Sequence, residues 1–262
     1  MRRYMRHGTL GFCLSLCMIV ASYAQGVYWE ATTTGSRKSD EAQVSQFYYM
    51  PRMLKVVDLG NDVVVILRLD KELMIVMNTK EKTYWEMTFA EMEEMVKGAG
   101  MQMDAATREM EKQMAGLSKE QQEMMKKMMG SRKPKEMAKI EVSRTDESKT
   151  IGGYRCTKYV LERGGEEEGV VWATRDMKEF EVMRKDMEEF GKRMGAMGAK
   201  ESMGVEEAIH AIDGFPIQTE MADGEKTVVT KVEGRSTPAS EFEVKAEFKK
   251  EESPMKKGFQ QE

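Results

Sequence analysis

Residues 63–77 read VVVILRLDKELMIVM, and the rest of the predicted sheet is built outward from them. It contains two almost continuously apolar runs, Val63 to Leu69 and Leu73 to Met77, interrupted only by Arg68 and by the polar triplet Asp70-Lys71-Glu72. Short apolar runs that are bounded by a turn signal are typical of strands that are covered on both faces. The stretch therefore predicts a β-hairpin with a second layer of structure on each side.

Strand signals continue on both sides of this hairpin and predict an antiparallel meander from Val27 to Met87. The runs are rich in β-branched and aromatic residues, and turn-forming residues such as Gly60-Asn61-Asp62 separate them. The other predicted strands of the meander are Val27 to Thr34, Val44 to Met50, Leu54 to Leu59 and Thr83 to Met87.

A second group of strands is predicted after residue 137. Its first member alternates apolar and polar residues and is followed by a polar turn over Asp146 to Lys149. Two hairpins come next, the first around Gly164 to Gly169 and the second around Asp223-Gly224. The predicted strands of this group are Ala138 to Ser143, Thr157 to Glu162, Val170 to Thr174, Ile217 to Met221 and Thr227 to Val232.

Between the two groups of strands, methionine is concentrated on predicted helices. The chain has 27 Met in 262 residues, and Thr88-Phe89-Ala90-Glu91 is a capping-box pattern that predicts a helix start. Glycines divide the segment into two or three short helices that end at Gly130. Apolar residues then recur at spacings of three and four, which places them on one helix face. This first stripe consists of Met103, Met110, Met114, Leu117, Met124 and Met128.

A second stripe of apolar residues follows Asp176, where another helix is predicted to start. This helix is predicted to end over Gly191, Gly195 and Gly198. Large apolar side chains in such numbers amount to on the order of 500–1,000 Å² per helix, so something must cover them. Two interpretations stay open: an ordinary core, or a surface whose flexible thioethers accommodate varied apolar ligands. The second stripe consists of Phe180, Met183, Met187, Phe190, Met194 and Met197.

The N-terminus has the pattern of a secretory signal peptide. Three arginines precede an apolar run, Leu10 to Ala21, which ends in the small-x-small triplet Ser22-Tyr23-Ala24. We therefore expect cleavage after Ala24 and an exported protein, periplasmic or secreted. A lipoprotein box at Cys17 is the weaker alternative, because Leu16 stands where a small residue belongs.

Removal of residues 1–24 leaves a chain that is long enough for one domain with a substantial core. We predict a signal peptide over 1–24 and a single domain over 25–248, with helical insertions near 88–130 and 176–212 and a charged, disordered tail over 249–262. The mature chain has 38 basic and 45 acidic residues, a net charge of −7. This acidity, without a basic patch, argues against a nucleic-acid partner. Cys156 is the one cysteine left, and we expect it to be buried.

The order of these elements resembles a bacterial exported family of unknown function, similar in layout to periplasmic lipoprotein-carrier proteins of the LolA type. The most specific part is the Gly-Tyr-x-Cys-x-Lys-Tyr run. The resemblance implies an incomplete antiparallel barrel wrapped over helices, with an apolar cavity between them. The stretches that carry it are Val63 to Met77, Thr150 to Tyr159, Val171 to Ala173, Gly214 to Ile217 and Ser240 to Val244.

Motifs for catalysis or cofactor binding are absent from the sequence. The mature chain has one histidine, His210, and one cysteine, with no spacing that indicates a nucleophile and its base. It has no nucleophile elbow, Walker loop or zinc-protease motif. We therefore predict a protein that is not an enzyme, with no catalytic residue, no metal ligand and no cofactor.

The fold class predicted from these observations is α+β, with a curved antiparallel sheet (an incomplete barrel) packed over Met-rich amphipathic helices. The predicted function is binding of an apolar ligand, namely a lipid, a lipoprotein acyl chain or an apolar protein segment, between sheet and helices. Peripheral contact with membrane lipid is compatible with it. The candidate ligand-binding residues are Met103, Met110, Met114, Met124, Met128, Phe180, Met183, Met187, Phe190 and Met194.

Two alternatives from other classes stay open. Thioethers prefer the soft ion Cu(I), and closely spaced methionines occur at Met92 with Met95, at Met101 with Met103, and over Met124 to Met129. These clusters are compatible with a copper-binding or copper-tolerance protein. The third hypothesis is a chaperone-like protein whose Met-rich faces bind partner helices, as promiscuous Met-rich surfaces do.

Overall fold

The computed structural model describes residues 26–35, 41–95, 97–98, 101, 108, 140–177, 180–195 and 211–256, with the side chains of 190–195 left out. The described residues form one twelve-stranded, curved sheet that does not close into a barrel. Its order is β12-β6-β5-β4-β3-β2-β1-β11-β10-β9-β8-β7, antiparallel except for the parallel pair β12–β6. The strands are β1 (Val27–Thr34), β2 (Gln43–Met50), β3 (Met53–Asp58), β4 (Val63–Arg68), β5 (Leu73–Asn78), β6 (Thr83–Thr88), β7 (Ile140–Ile151), β8 (Tyr154–Arg163), β9 (Glu166–Thr174), β10 (Phe215–Met221), β11 (Lys226–Gly234) and β12 (Lys249–Lys250).

Both faces of the hairpin β4–β5 contact a second layer of structure, as residues 63–77 predicted, but Val65 and Val76 on the inner face are only half-buried. On the outer face, Ile66 and its neighbours pack with Phe242, which is 0% exposed and belongs to the 3-10 helix Ala239–Phe242. On the inner face, Leu67 and Met74 belong to the main core, together with Phe89 and Met92. Arg68 fixes the outer layer, because its guanidinium donates to the carbonyl of Phe242 at 3.2 Å. The predicted meander β1–β6 is confirmed.

The tight turns that join the strands of the meander end in residues other than glycine. Asp62, Glu72 and Lys82 each precede the next strand, and each has a positive φ, between 51° and 55°. This left-handed conformation costs a non-glycine residue about 1–2 kcal/mol. The strands that these turns connect must supply that energy through their pairing and burial.

Within the described part of the chain, two helical elements contact the inner face. Residues 89–95 form a helix that begins with the predicted capping box, in which the Glu91 amide donates to Thr88 Oγ1 at 3.2 Å and the Thr88 amide donates to Glu91 Oε2 at 2.8 Å. Helix α1, Phe180–Gly195, continues through the predicted break at Gly191. No helix in the described part of the chain is long and apolar enough to cross a membrane.

Three sequence predictions require correction. The predicted turn over Asp146 to Lys149 lies within β7, where a register irregularity between Arg144 and Ser148 accommodates the polar residues at the sheet edge. Strand β9 starts at Glu166, so the preceding turn is shorter than predicted. Residues 249–256 are not a free tail, because Lys249 and Lys250 pair with β6 and residues 254–256 are helical.

Candidate functional site

A continuous row of apolar side chains crosses the inner face perpendicular to β1–β6. Each member is the cross-strand partner of the next, and none of these five ladders has a register irregularity. Directly paired residues in antiparallel strands share one face of the sheet. We call this row the inner-face strip; it consists of Trp29, Phe47, Val56, Val65, Val76 and Trp85.

The strip lies between two rows of different character. On one side of the strip, two positions further along each strand, lies a row of buried side chains, each at most 7% exposed. This buried row consists of Tyr49, Leu54, Leu67, Met74 and Met87. Two residues toward the other end, Ser45, Asp58, Asn78 and Thr83 form a mostly polar border. In the strip itself only Trp29 is buried, and the other five side chains are half-buried. An apolar surface one residue wide is therefore left partly uncovered.

At its β1 end, the strip leads into an apolar recess of about 210 Å³. Trp29 and Phe47 stack in parallel there, with ring centroids 4.7 Å apart, and Phe215 meets Trp29 edge-to-face at 5.7 Å. The rest of the lining is apolar apart from Gln218 and two threonines, Thr219 and Thr227.

Helix α1 packs beside the recess and is held by a buried carboxylate. Phe180 contacts Phe215 edge-to-face at 5.5 Å. Asp186 is 8% exposed and accepts hydrogen bonds from the Tyr49 hydroxyl at 2.8 Å and the Arg52 amide at 2.6 Å. Burial raises the pKa of Tyr49, and the hydrogen bond to Asp186 raises it further. These contacts position α1 at one point of the buried row.

The predicted binding residues fall into three groups. Met183 is 3% exposed and belongs to the core, and Phe180 and Met187 are half-buried against it. These three lie together on the inner face. The side chains of Phe190 and Met194, and the whole first stripe of Met103, Met110, Met114, Met124 and Met128, lie outside the described residues. For both sets, ligand binding stays a prediction.

The inner-face strip is the feature that the sequence reasoning missed. Val65 and Val76 occur in the hairpin that was predicted to be fully covered, yet they are half-buried. Alternation along each strand could have shown that they share a face with Leu67 and Met74. The cross-strand register, which aligns the six strands into one row, had no signal in the sequence.

The methionine clusters considered for copper are only partly described. Met92 is 1% exposed and lies in the core, whereas Met101 is 68% exposed. Met103 and Met124 to Met129 lie outside the described residues. The described part of the chain has no group of three or more His, Cys, Asp and Glu side chains placed to hold a metal ion.

Cys156 is buried, as expected from the sequence. The residue is 0% exposed, and burial raises the pKa of its thiol. A raised pKa lowers the thiolate fraction at neutral pH, and the thiolate is the reactive form. Cys156 therefore serves as a small core residue, packed with Trp172 and Phe215.

Fold and site together define a class: sheet-dominated proteins with an open, curved antiparallel sheet and an apolar strip on one face. The chain belongs to the family described as domain of unknown function DUF4412, which matches residues 90–248. The matched range begins after β6, so all six strands that carry the strip precede it. None of the curated proteins matches this chain.

Solved structures give loose fold relationships. An uncharacterized conserved protein from Thermus thermophilus is 6% identical, with a TM-score of 0.42 and 84% of each chain covered. PNGF-II is 8% identical, with a TM-score of 0.38, over 90% of this chain and 32% of that one. MucB, in a Pseudomonas aeruginosa MucA/MucB complex, is 7% identical, with a TM-score of 0.38, over 86% of this chain and 57% of that one. The chain thus spans about a third of PNGF-II and under two thirds of MucB.

Proposed function

We propose that this chain is an exported, non-enzymatic binding protein that holds an apolar ligand on the inner face of its sheet, beside the helical segments. The ligand is a lipid, an acyl chain or an apolar protein segment. One observation carries the proposal: six cross-strand partners form an apolar strip, five of its side chains are half-buried, and it ends in a recess of about 210 Å³. Ligand pockets are concave and mostly apolar, with a few polar groups, and the recess has this composition.

The strip offers enough surface for reversible binding. Full burial of one large apolar side chain contributes about 1.5–3 kcal/mol, and completing the burial of a half-buried member of the strip contributes at most about a third of that. Five half-buried members together offer at most roughly 2.5–5 kcal/mol. Part of this offsets the entropy lost on association. We therefore expect weak, reversible binding of simple apolar probes.

The chemistry of the recess suits binding rather than catalysis. Its lining supplies aromatic and aliphatic groups, two threonine hydroxyls and the Gln218 amide. Acyl-transfer and acid–base chemistry need a nucleophile or a general base within hydrogen-bond reach of the substrate. Cys156 is buried in the core with a raised thiol pKa, so it is a poor candidate for the nucleophile. These features support a non-enzymatic role.

The test compares two neighbouring valines on opposite faces of β3. Val56 belongs to the strip, whereas Val57 packs against the outer core, and both are half-buried. The neutral fluorophore N-phenyl-1-naphthylamine is titrated into wild type, Val56→Gln and Val57→Gln. We expect Val56→Gln to weaken binding about fivefold, because a polar group replaces about 1 kcal/mol of apolar contact.

Val57→Gln should bind the fluorophore like wild type. Absence of uptake by wild type, or equal losses in both variants while their thermal melts stay cooperative, would contradict the proposal. Native mass spectrometry of protein purified from its own periplasm supplies an independent readout. It should show a lipid-sized or peptide-sized apolar adduct.

A further inference from the structure

The recess lies where the polar border of the strip is interrupted. In line with this border, β1 and β11 carry Ala31 and Val229, which are cross-strand partners, and Ala31 is also the partner of Ser45 in the border. Both Ala31 and Val229 line the recess. Ala31 shares a face with the large ring of Trp29, two positions away, and its small side chain leaves room above it. The apolar surface is therefore two rows wide at the recess.

A row of threonine hydroxyls follows directly beyond Ala31 and Val229. Thr33 pairs with Thr227 on β11, and Thr227 pairs with Thr219 on β10, so three strands place threonine side by side. The hydroxyl oxygens of Thr33 and Thr227 lie 2.9 Å apart, so these two side chains share the inner face. Thr219 and Thr227 line the recess. We call Thr33, Thr227 and Thr219 the hydroxyl row.

The hydroxyl row keeps hydrogen-bonding capacity for a ligand. A hydroxyl group carries one donor and two acceptor lone pairs. The contact between Thr33 and Thr227 uses one donor and one lone pair, so each oxygen keeps at least one lone pair. Thr219 is half-buried, and its hydroxyl has no hydrogen-bond partner among the described residues. A polar group of a ligand at this rim can therefore both donate to the row and accept from it.

The surroundings of the recess offer no countercharge to an ionic ligand. Among the described residues, none that lines the recess is charged. In the rows of Trp29, Ala31 and Thr33 across β11, β1, β2 and β3, only Asp58 is charged, and it lies two strands from Ala31, or about 10 Å. Its carboxylate already accepts from the Asn61 side chain at 2.6 Å. An ionic headgroup in the recess would lose water without gaining an ion pair, which is costly.

The strip beside the recess favours a hydrocarbon chain over a peptide. A peptide lying across the strands would leave its amides and carbonyls unpaired over apolar side chains, and unpaired buried backbone groups are costly. A hydrocarbon chain has no such groups to satisfy. The apolar rows therefore suit the chain of an amphiphile, and the hydroxyl row suits an uncharged polar head.

We infer that the ligand is a neutral amphiphile, an apolar chain that ends in one or more hydroxyl groups, as in a fatty alcohol or an acylglycerol. Its apolar part lies on Ala31, Val229 and the neighbouring rings of the strip. Its hydroxyl exchanges hydrogen bonds with Thr219 and Thr227. This inference rests on the proposed function and specifies its ligand.

The experiment displaces N-phenyl-1-naphthylamine with ten-carbon competitors below their solubility limits and micellar concentrations: 1-decanol, 1-decanoylglycerol, decanoate and decyltrimethylammonium. The two neutral compounds should compete at least about tenfold better than the two ions. Because the alcohol also dissolves less well in water than the ions, the decisive measurement removes one hydroxyl from the protein. Thr219→Val should weaken 1-decanol about fivefold, the effect of one neutral hydrogen bond, while the affinity for the fluorophore is unchanged.

Thr32→Val is the matched control, and Thr219→Ser tests for rescue. Thr32 lies on β1 between Ala31 and Thr33, so its side chain is on the opposite face of the sheet. Loss of its hydroxyl should leave 1-decanol binding within error of wild type. Thr219→Ser keeps a hydroxyl at the recess and should retain most of the affinity for the alcohol.

The outcomes separate this inference from the proposed function. If the fluorophore binds but decanoate competes as well as 1-decanol, the inference is overturned and the proposed function stands. The same holds if Thr219→Val and Thr32→Val behave alike, or if Thr219→Ser loses as much alcohol affinity as Thr219→Val, while all melts stay cooperative. If wild type takes up no fluorophore, both fail.

Discussion

Among the tyrosine hydroxyls of the sheet that have a described hydrogen-bond partner, that of Tyr49 should contribute most to the free energy of unfolding. It donates to Asp186 at 2.8 Å in a buried site and joins helix α1 to the inner face. Tyr49→Phe removes this donor and leaves the ring in place. The variant therefore isolates the hydrogen bond from the packing of the aromatic ring.

The size of the loss follows from the partner. A hydrogen bond to a charged group contributes about 1.5–3 kcal/mol, compared with about 1 kcal/mol for a neutral pair. After the change, the Asp186 carboxylate keeps the Arg52 amide at 2.6 Å but loses its second donor within a buried site. We expect a destabilisation of about 1.5–3 kcal/mol. At about 2–4 °C per kcal/mol for a domain of this size, the melting temperature falls by about 3–12 °C.

The same contact predicts a dependence on alkaline pH. Burial and Asp186 raise the pKa of Tyr49 above its ordinary value of 10.0. As the pH rises through 10, the unfolded chain releases this proton while the folded chain retains it. The contribution of Tyr49 is therefore fully present below about pH 10 and is lost above it. Tyr49→Phe should show a shallower decline in stability above about pH 10 than wild type, with the remaining slope coming from groups such as Tyr28, whose pKa is also raised.

The assay is urea denaturation at about pH 7 and about pH 10.5, with Tyr48→Phe as the control. Tyr48 is the adjacent residue on the opposite face, and its hydroxyl makes a long contact of 3.4 Å to Gln46. Its loss should cost less than about 0.5 kcal/mol. A double-mutant cycle of Tyr49→Phe with Asp186→Asn should give a coupling above about 1 kcal/mol. Equal destabilisation by the two tyrosine variants, or a coupling near zero, would refute the reasoning.

Three further predictions concern the two faces, the C-terminal segment and export. Ile66→Glu should abolish the cooperative melt, because Ile66 is 1% exposed and the new charge would be buried. Val65→Glu should keep a cooperative melt but lose fluorophore uptake. If both variants unfold, the strip is part of the hydrophobic core and not a binding surface. Lys256 and the Thr88 amide lower the pKa of Glu91 to about 2, so this carboxylate contributes stability above pH 4.5 that is lost as the pH falls to about 2. Glu91→Gln should reduce the loss of unfolding free energy between pH 4.5 and about 2 by about 1 kcal/mol, a small value because the Glu91 side chain is 41% exposed. An unchanged loss in the variant would contradict a role of Glu91 in acid stability. Intact-mass analysis should find Gln25 at the mature N-terminus, and a retained or lipidated N-terminus would exclude cleavage after Ala24.

The sheet could be predicted from the sequence because strand formation leaves a local signal. Runs of β-branched residues between turn residues located every strand of the meander to within about two residues. The double coverage of β4–β5 followed from the lack of alternation in residues 63–77. The capping box at Thr88 was equally local, since its two hydrogen bonds join residues three positions apart.

The strip could not be predicted because it depends on register. Val64 and Val65 are adjacent and chemically identical, yet one is buried against the outer layer and the other is half-buried on the strip. A shift of one residue in any ladder would exchange the two faces. The same limit explains the misplaced turn at Asp146, because an edge strand tolerates a polar, irregular stretch that looks like a loop in the sequence.

The apolar composition of the strip argues for a role beyond folding. On the outer face, Phe242 completes a layer over Ile66 and Ile75, which are 1% and 5% exposed, while Val57 and Tyr84 beside them are half-buried. On the inner face, the side chains of the buried row are at most 7% exposed, and half-buried apolar side chains begin at the strip. Threonine or another polar β-former would serve the sheet at such half-exposed positions, as it does at Thr83 in the polar border. Six successive strands instead place Val, Phe or Trp there. An apolar row that contributes only part of its burial to folding leaves the remainder available for the apolar ligand that we propose, and its alignment with the recess gives the direction in which such a ligand would lie.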